Sequence, residues 1–557
     1  MIQQKVRLGD LLVEEGLLSQ EQLDLALKIQ KESGFSKKLG QILLEEGFIT
    51  QKELLRALSK QLGYDFVDLY GEKIDFEKLA KYPLQLLRNA KAIPFREDED
   101  YIYVATSDPL NYEALEALER TLSMKPMKIY LALEDEIEAI FHRLSILEDT
   151  KYIIEDVKKE LRDEGAKKAG EESAVVRLIH LIIKDSILRR ASDIHIEPEE
   201  KKAVVRARID GVLHETFVFD DEIYQALNTR IKLLGGLDIS ERRKPQDGRF
   251  SLEVEGKLYD FRLSSTPTIY GESLVMRILD REKALLRLEE LGFEDENLEA
   301  FENMIHSPYG IVLITGPTGS GKTTTLYAAL NEIKNISNKV MTIEDPVEYR
   351  LPLVQQVQVN EKAGLTFAVA VKSFLRQDPD VMLIGEIRDF DTLNAAAQAS
   401  LTGHLVFSTL HTNDAPGAIT RLVQMGLKPY MIADATIGIV AQRLVRKICP
   451  YCKAPYKPPQ AVLKKIEKYL PQEYTFYKGK GCSKCDFTGY FGRTMISEIL
   501  TIDDEIAKMI SEGANKYEIF QYATRHTGFK PMIHDGIKKA LKGVTTIEEL
   551  LRVTKER

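Results

Sequence analysis

The sequence predicts a multidomain α/β chain whose C-terminal half binds nucleotide, and three observations predict it. Its 557 residues exceed what one core can organise, so several domains are expected. Between about 291 and 445, four short apolar runs (GIVLITG, KVMTIED, DVMLIGE, HLVFSTLH) alternate with helical stretches, as in a parallel sheet covered on both faces. The first run leads into Gly316-Pro317-Thr318-Gly319-Ser320-Gly321-Lys322-Thr323-Thr324, a phosphate-binding loop placed between a strand and a helix.

Composition narrows the classes. With 44% hydrophobic and 29% charged residues the chain reads as soluble and globular, and its net charge of -9 argues against a general nucleic-acid coat. No run approaches the ~20 apolar residues that span a bilayer, and the start MIQQKVRLGD has no secretory pattern. The expectation is an intracellular protein that reaches a membrane only through a partner.

Five regions follow in order. Residues 1–64 hold a repeat: Arg7-Leu-Gly9-x2-Leu12-x3-Gly16 with Leu23, Leu27 and Gln30 is matched by Lys38-Leu-Gly40-x2-Leu43-x3-Gly47 with Leu54, Leu58 and Gln61. Each unit reads as two short helices joined by a Gly turn, with Ser19 and Thr50 at the N-cap positions. Residues 65–148 mix strand-like and helical runs in a small α/β domain, and the charged stretch 149–172 reads as a linker, partly helical. Residues 173–290 begin with the helix VVRLIHLIIKDSILRR and continue in alternating strands, an α+β pattern. The last region, 291–557, contains the phosphate loop, a cysteine-bearing insert at 447–497 and C-terminal helices.

In the phosphate loop the glycines let backbone N–H groups surround phosphate oxygens at a helix N-terminus. Lys322 supplies charge to the β/γ-phosphates and Thr323 a hydroxyl for Mg²⁺. Glu386 and Glu344 each end an apolar strand, where open α/β sheets bind ligands. A carboxylate there can hold Mg²⁺ or orient the attacking water, and the sequence does not choose between the two.

The ordered motifs GPTGSGKTT, TIEDPVEY, RQDPDVMLIGEIRD and GHLVFSTLHTNDA resemble the secretion and pilus-assembly traffic ATPases over roughly 173–557. The resemblance implies a RecA-like motor domain behind a PAS-like α+β domain, an acidic box at Glu344, Asp345 and Glu348, and an atypical Walker B at Gly385 and Glu386. It also implies a histidine box at His404 and His411, with His411 sensing the γ-phosphate. Arg262, Arg277 and Arg376 match arginines that close on the nucleotide, whereas Lys372 stands where the family commonly has a further Arg. The implied machine is a homo-hexamer at the inner face of the inner membrane. It works with a membrane platform protein and the cytoplasmic domain of an assembly protein, and drives (pseudo)pilin assembly in type II secretion or type IV pilus extension. A DNA-uptake or DNA-translocating motor is the alternative; it calls for a basic pore, which the acidic balance does not favour.

Cys449-x2-Cys452-x29-Cys482-x2-Cys485 uses every cysteine of the chain in two CxxC knuckles. Four thiolates so paired point to a closed, structural Zn²⁺ site, with disulfides as the other reading of the same cysteines. The resemblance agrees, since secretion and pilus-extension members carry such an insert. The N-terminal repeat resembles the cyclic-di-GMP-binding module found on some of these motors. That likeness implies that Arg7 and the helix starts at Gly9 and Gly40 meet phosphate, that Leu12 and Leu43 cover the bases, and that Gln30, Gln61 and Lys38 belong to the same site, Lys38 standing where the family carries an Arg. A helical docking domain is the other reading of the same residues.

Overall fold

A computed structural model describes residues 8–554 except 33–38, 47, 50, 70–71, 73, 123–124, 163–172, 280–285 and 486–487. Two compact units divide at Asp185/Ser186, with 480–489 grouping with the first.

In the first unit the repeat folds as paired helices, Leu8–Glu14 with Gln20–Glu32 and Leu39–Glu45 with Gln51–Leu62. Ser19 caps the second helix: its Oγ accepts from Gln22 N at 3.2 Å, and Gln22 Oε1 accepts from Ser19 N at 3.0 Å. Thr50 lies outside the described residues. Leu12, Leu23, Leu43 and Ala57 pack into one small core. Gly9 serves that packing, because a Cβ there would come within 2.6 Å of the Leu23 side chain.

The neighbouring α/β domain has strands β1 (Asp65–Phe66), β2 (Ala92–Glu97), β3 (Ile102–Thr106) and β4 (Met127–Leu131), in the order β1-β4-β3-β2. The helix Glu134–Arg162 follows and runs through the first part of the 149–172 stretch that composition reads as a linker. Val157 is buried on one face there, and Glu160 accepts from Ala174 N at 3.0 Å, so the charged residues belong to a packed helix. The rest of that stretch, 163–172, lies outside the described residues.

The second unit opens with a six-stranded antiparallel sheet: β5 (Ala191–Pro198), β6 (Lys202–Ile209), β7 (Val212–Asp220), β8 (Gln246–Val254), β9 (Lys257–Thr268) and β10 (Gly271–Leu279). Their order is β7-β6-β5-β10-β9-β8. The helix Asp221–Leu234 is fastened to this sheet by a buried ion pair, Lys232 Nζ lying 2.8 and 3.1 Å from the two Glu272 carboxylate oxygens.

Then come β11 (Gly310–Thr315), β12 (Val340–Glu344), β13 (Val354–Gln358), β14 (Val381–Ile384), β15 (Leu405–Leu410) and β16 (Thr436–Ile448). A two-stranded ribbon of β17 (Lys453–Tyr456) and β18 (Phe476–Gly479) precedes the last strand, β19 (Tyr490–Thr501). The main sheet runs β13-β12-β14-β15-β11-β16-β19. All its neighbours are parallel except β16 and β19. Every residue of β11, β12, β14 and β15 is buried, which is why these strands read as unbroken apolar runs. Ser408 and Thr409 are tolerated inside β15 because their hydroxyls donate to Ile384 O and Gly385 O at 2.7 and 2.8 Å. No helix among the described residues is long and apolar enough to cross a membrane.

Candidate nucleotide site

The phosphate loop leaves the C-terminal end of β11 and enters the helix Lys322–Ile333. Gly316, Gly319 and Gly321 take φ of 155, 78 and 91°, conformations that turn successive N–H groups toward one concavity. Gly316 is also forced by space, since a Cβ there would fall 2.6 Å from Gln442 O. Pro317, Thr318, Thr323 and Thr324 are exposed around the loop and the first helical turn. Ser320 is buried with its Oγ lacking a hydrogen-bond partner, as fits a hydroxyl reserved for a phosphate oxygen. Lys322 Nζ donates to Gly316 O at 2.8 Å and Pro317 O at 3.2 Å, so the ammonium caps the loop that phosphate would fill. Burial pushes the Lys322 pKa down, against the pull of Glu386, and Arg443 adds to the fall.

Sheet order decides which predicted residues stand near this loop. β15 borders β11, and β14 borders β15. His411, just past β15, has its Nε2 3.5 Å from Glu386 Oε2, and Arg388 pairs with Glu386 Oε1. Glu386, His411 and the phosphate loop therefore share the C-terminal edge of three consecutive strands. Two hydroxyls fix the junction: Thr412 N donates to Thr315 Oγ1 at 2.8 Å, and Thr315 Oγ1 meets Thr412 Oγ1 at 2.7 Å.

Glu344 is built differently. It is 4% exposed and accepts from the Tyr327 hydroxyl, from Thr342 Oγ1 at 2.6 Å and from Gln356 Nε2 at 3.2 Å. Burial first, and the Glu344 charge second, raise the Tyr327 phenol well above its ordinary range. In this arrangement Glu344 is occupied by protein donors, leaving Glu386 as the carboxylate beside the loop. His404 sits at the opposite end of β15, with its Nδ1 2.8 Å from Ala399 O, closing a helix rather than facing the loop.

The arginines gather elsewhere. Arg249, Arg262 and Arg277 lie directly opposite one another on β8, β9 and β10, with Asp193 next in the row on β5. Like charges in register repel, and the row is compensated by Asp193 at 2.9 Å from Arg277 and Glu348 at 2.9 Å from Arg262. Asp193 and the three arginines line a cavity of about 450 Å³ that also touches Pro346. Arg262 thus contacts the acidic box past β12, three strands or about 14 Å from β11. Arg376 turns back on its own helix, donating to Lys372 O at 3.0 Å, and joins neither group.

The ligand atoms of Cys449, Cys452, Cys482 and Cys485 all lie within 4.8 Å of one another. Thiolates around tetrahedral zinc stand about 3.8 Å apart, and Cys482 and Cys485 Sγ are separated by 3.6 Å. Backbone N–H groups of Cys482 and Gly489 donate to Cys485 Sγ at 3.3 and 3.2 Å, as suits a sulfur carrying thiolate charge. The donor set fits zinc. In the N-terminal repeat, Gly9 and Gly40 sit at helix starts against Leu23 and Leu54. Leu12 and Leu43 are wholly buried in the module's own core. Gln30 and Gln61 are half-buried, and Arg7 and Lys38 lie outside the described residues.

Sequence reasoning passed over Gln442 and Arg443. Both are buried polar residues in β16, and Gln442 Nε2 donates to Ser320 O at 2.9 Å. The signal was there: a Gln-Arg pair interrupting the apolar run TIGIVA-LV.

A family model described as "Type II/IV secretion system protein" matches residues 168–552, and one described as "MshEN domain" matches 62–150, beginning where the helical repeat ends. The Type IV pilus assembly ATPase PilB of Myxococcus xanthus (strain DK1622) is 40% identical over 563 residues, covering 98% of each chain. Type II secretion system ATPase E of Vibrio cholerae serotype O1 is 38% identical over 496 residues, covering 86% of this chain and 98% of that one. The X-ray structure of the Legionella pneumophila ATPase DotB aligns over 68% of this chain and 95% of that chain. Its TM-score of 0.51 at 22% identity is a likeness of fold.

Proposed function

We propose a function on one premise: the chain belongs to the family of Type II/IV secretion system proteins. It is an ATPase, and it powers assembly of a pilus or of a secretion apparatus. The finer reading is a homo-hexameric motor at the inner face of the inner membrane. There it extends (pseudo)pilin fibres with a platform protein and an assembly protein's cytoplasmic domain. The observation that carries the chemistry is the phosphate loop with its unpartnered Ser320 Oγ, standing beside Glu386 and His411 along one sheet edge.

In this reading the backbone of 316–321 and Lys322 Nζ bind the phosphates, the ammonium exchanging its present carbonyl partners for phosphate oxygens. Thr323 and Glu386 would hold Mg²⁺, which would supply charge neutralisation to the phosphates. Glu386 orients the attacking water, and His411 follows the terminal phosphate through its link to the same carboxylate. Arg262 and Arg277 close on the nucleotide from the antiparallel sheet, which requires Arg262 to leave Glu348. Head-to-tail contacts that bring such arginines to a neighbour's site close naturally into rings. Zinc in the four-cysteine site holds the insert's fold. The match over 62–150 supports regulation of the N-terminal region by cyclic-di-GMP.

Phosphate release by the full-length chain tests the reading. Glu386→Gln is expected to lower turnover by about 10² or more while ATP still binds. Undiminished turnover in that variant would remove Glu386 from the chemistry.

A further inference from the structure

Beneath the phosphate loop lies a buried cation whose hydrogen bonds all go to neutral oxygens. Arg443 is 8% exposed. Its NH1 donates to Gln442 O at 2.9 Å, and its NH2 to Asn413 O and Oδ1 at 3.0 and 3.2 Å. Glu498, the carboxylate whose field reaches it, accepts instead from the backbone N–H groups of Ala415 and Met532, each at 2.8 Å. A buried charge without a directly bonded counter-charge costs free energy, and such a cost persists where a ligand offsets it.

Geometry identifies the ligand's side. A Cβ on Gly316 would stand 3.1 Å from Arg443 NH1, so the guanidinium lies directly under the loop's first glycine. The adjoining Gln442 is fully buried and clamps the other side of the loop, its Nε2 donating to Ser320 O at 2.9 Å and its Oε1 accepting from Thr325 Oγ1 at 3.0 Å. Through Asn413, the same guanidinium also holds the segment that carries His411 and Thr412.

We propose that Arg443 is a positioning residue for ATP. Its buried guanidinium is the fixed positive charge that the nucleotide phosphates neutralise from above the loop, and its bonds to Asn413 tie the loop to the His411 segment. The inference rests on the reading of 316–324 as the ATP site. It explains why β16, otherwise apolar at its centre, spends two positions on Gln442 and Arg443.

Because ATP carries more charge on its phosphates than ADP, removing the guanidinium charge should penalise ATP more. The test is titration of the full-length chain with ADP and with a non-hydrolysable ATP analogue, both with Mg²⁺, in wild type, Arg443→Gln, Arg443→Lys and Lys322→Ala. Arg443→Gln should weaken the ATP analogue on the order of tenfold and ADP by about threefold. Arg443→Lys should keep the wild-type preference between the two ligands but lose turnover, since a lysine lacks the planar fork that spans Asn413 and Gln442. A folded Arg443→Gln that binds both ligands as wild type does, or loses both by the same factor, overturns the proposal. Should that variant not fold, loss of the ATP preference in Arg443→Lys overturns it equally. Undiminished analogue binding by Lys322→Ala would overturn the ATP-site reading itself, an outcome separable from any Arg443 result.

Discussion

Replacing Lys232 by Met tests how the helix Asp221–Leu234 is held to the arginine-bearing sheet. Lys232 is 1% exposed, and its Nζ contacts both Glu272 oxygens and Glu241 O at 2.8 Å. The methionine fills the stem's volume but leaves the Glu272 carboxylate with only Asn228 at 3.1 Å and Ser265 at 2.9 Å. Breaking a buried pair from one side costs about 3–5 kcal/mol. Adding Glu272→Gln removes the stranded charge and should recover about 2 kcal/mol of that. The pH dependence has a definite sign. In the wild type, burial raises the Glu272 pKa, but bonds from Lys232, Asn228 and Ser265 outweigh it and hold it below its ordinary value. That stabilisation is complete above the unfolded value of 4.5 and is lost as pH falls through the lowered folded value. Without the ammonium, burial prevails and the folded carboxyl titrates above its unfolded value. The variant's deficit should therefore shrink as pH drops from 7 toward 4.5. Hydrogen exchange over residues 221–234, read by mass spectrometry, reports the local opening free energy. Protection within about 1 kcal/mol of wild type at pH 7, or a deficit indifferent to pH, would show that the Lys232–Glu272 pair does not hold this helix to the sheet.

Three further outcomes follow from individual close contacts in the fold. Tyr327→Phe removes one donor from the buried Glu344 carboxylate and should cost about 1–3 kcal/mol in thermal unfolding while leaving the KM for ATP unchanged. Abolished hydrolysis at unaltered stability would instead place Glu344 in the chemistry. Cys482→Ser should take the zinc content of purified chain from one per chain to none, measured by elemental analysis, with ATP binding retained. Gly248→Ala puts a Cβ 2.2 Å from Gly235 O, a backbone atom that cannot swing away; a loss of about 2 kcal/mol or more is expected from melting curves.

Much of this sheet edge was legible because local pattern places its residues. A phosphate loop needs glycines at fixed offsets between a strand and a helix, so Gly316, Gly321 and Lys322 announce themselves within eight residues. Glu386 and His411 end strands whose neighbours are buried on both faces, and unbroken apolar runs betray such strands. The paired cysteines were equally plain, since knuckle spacing is itself the metal geometry. The repeat's helices and the Ser19 cap were visible for the same local reason. At 149–162 composition left open how far a partly helical linker is ordered, and the chain there continues the helix Glu134–Arg162 with Val157 buried on one face.

What the sequence alone determined is the chemistry offered at each strand end: phosphate loop, two glutamates, histidine and arginines. Only the tertiary structure decided which of these meet. Strand order sets neighbours, and no local pattern records that β14 and β15 lie beside β11 while β12 stands three strands away. That order puts Glu386 and His411 next to the loop and leaves Arg262 at the acidic box. Long-range hydrogen bonding likewise turns Glu344 toward Tyr327 and sets Arg443 beneath Gly316, because a buried polar group takes whatever partner packing brings within reach.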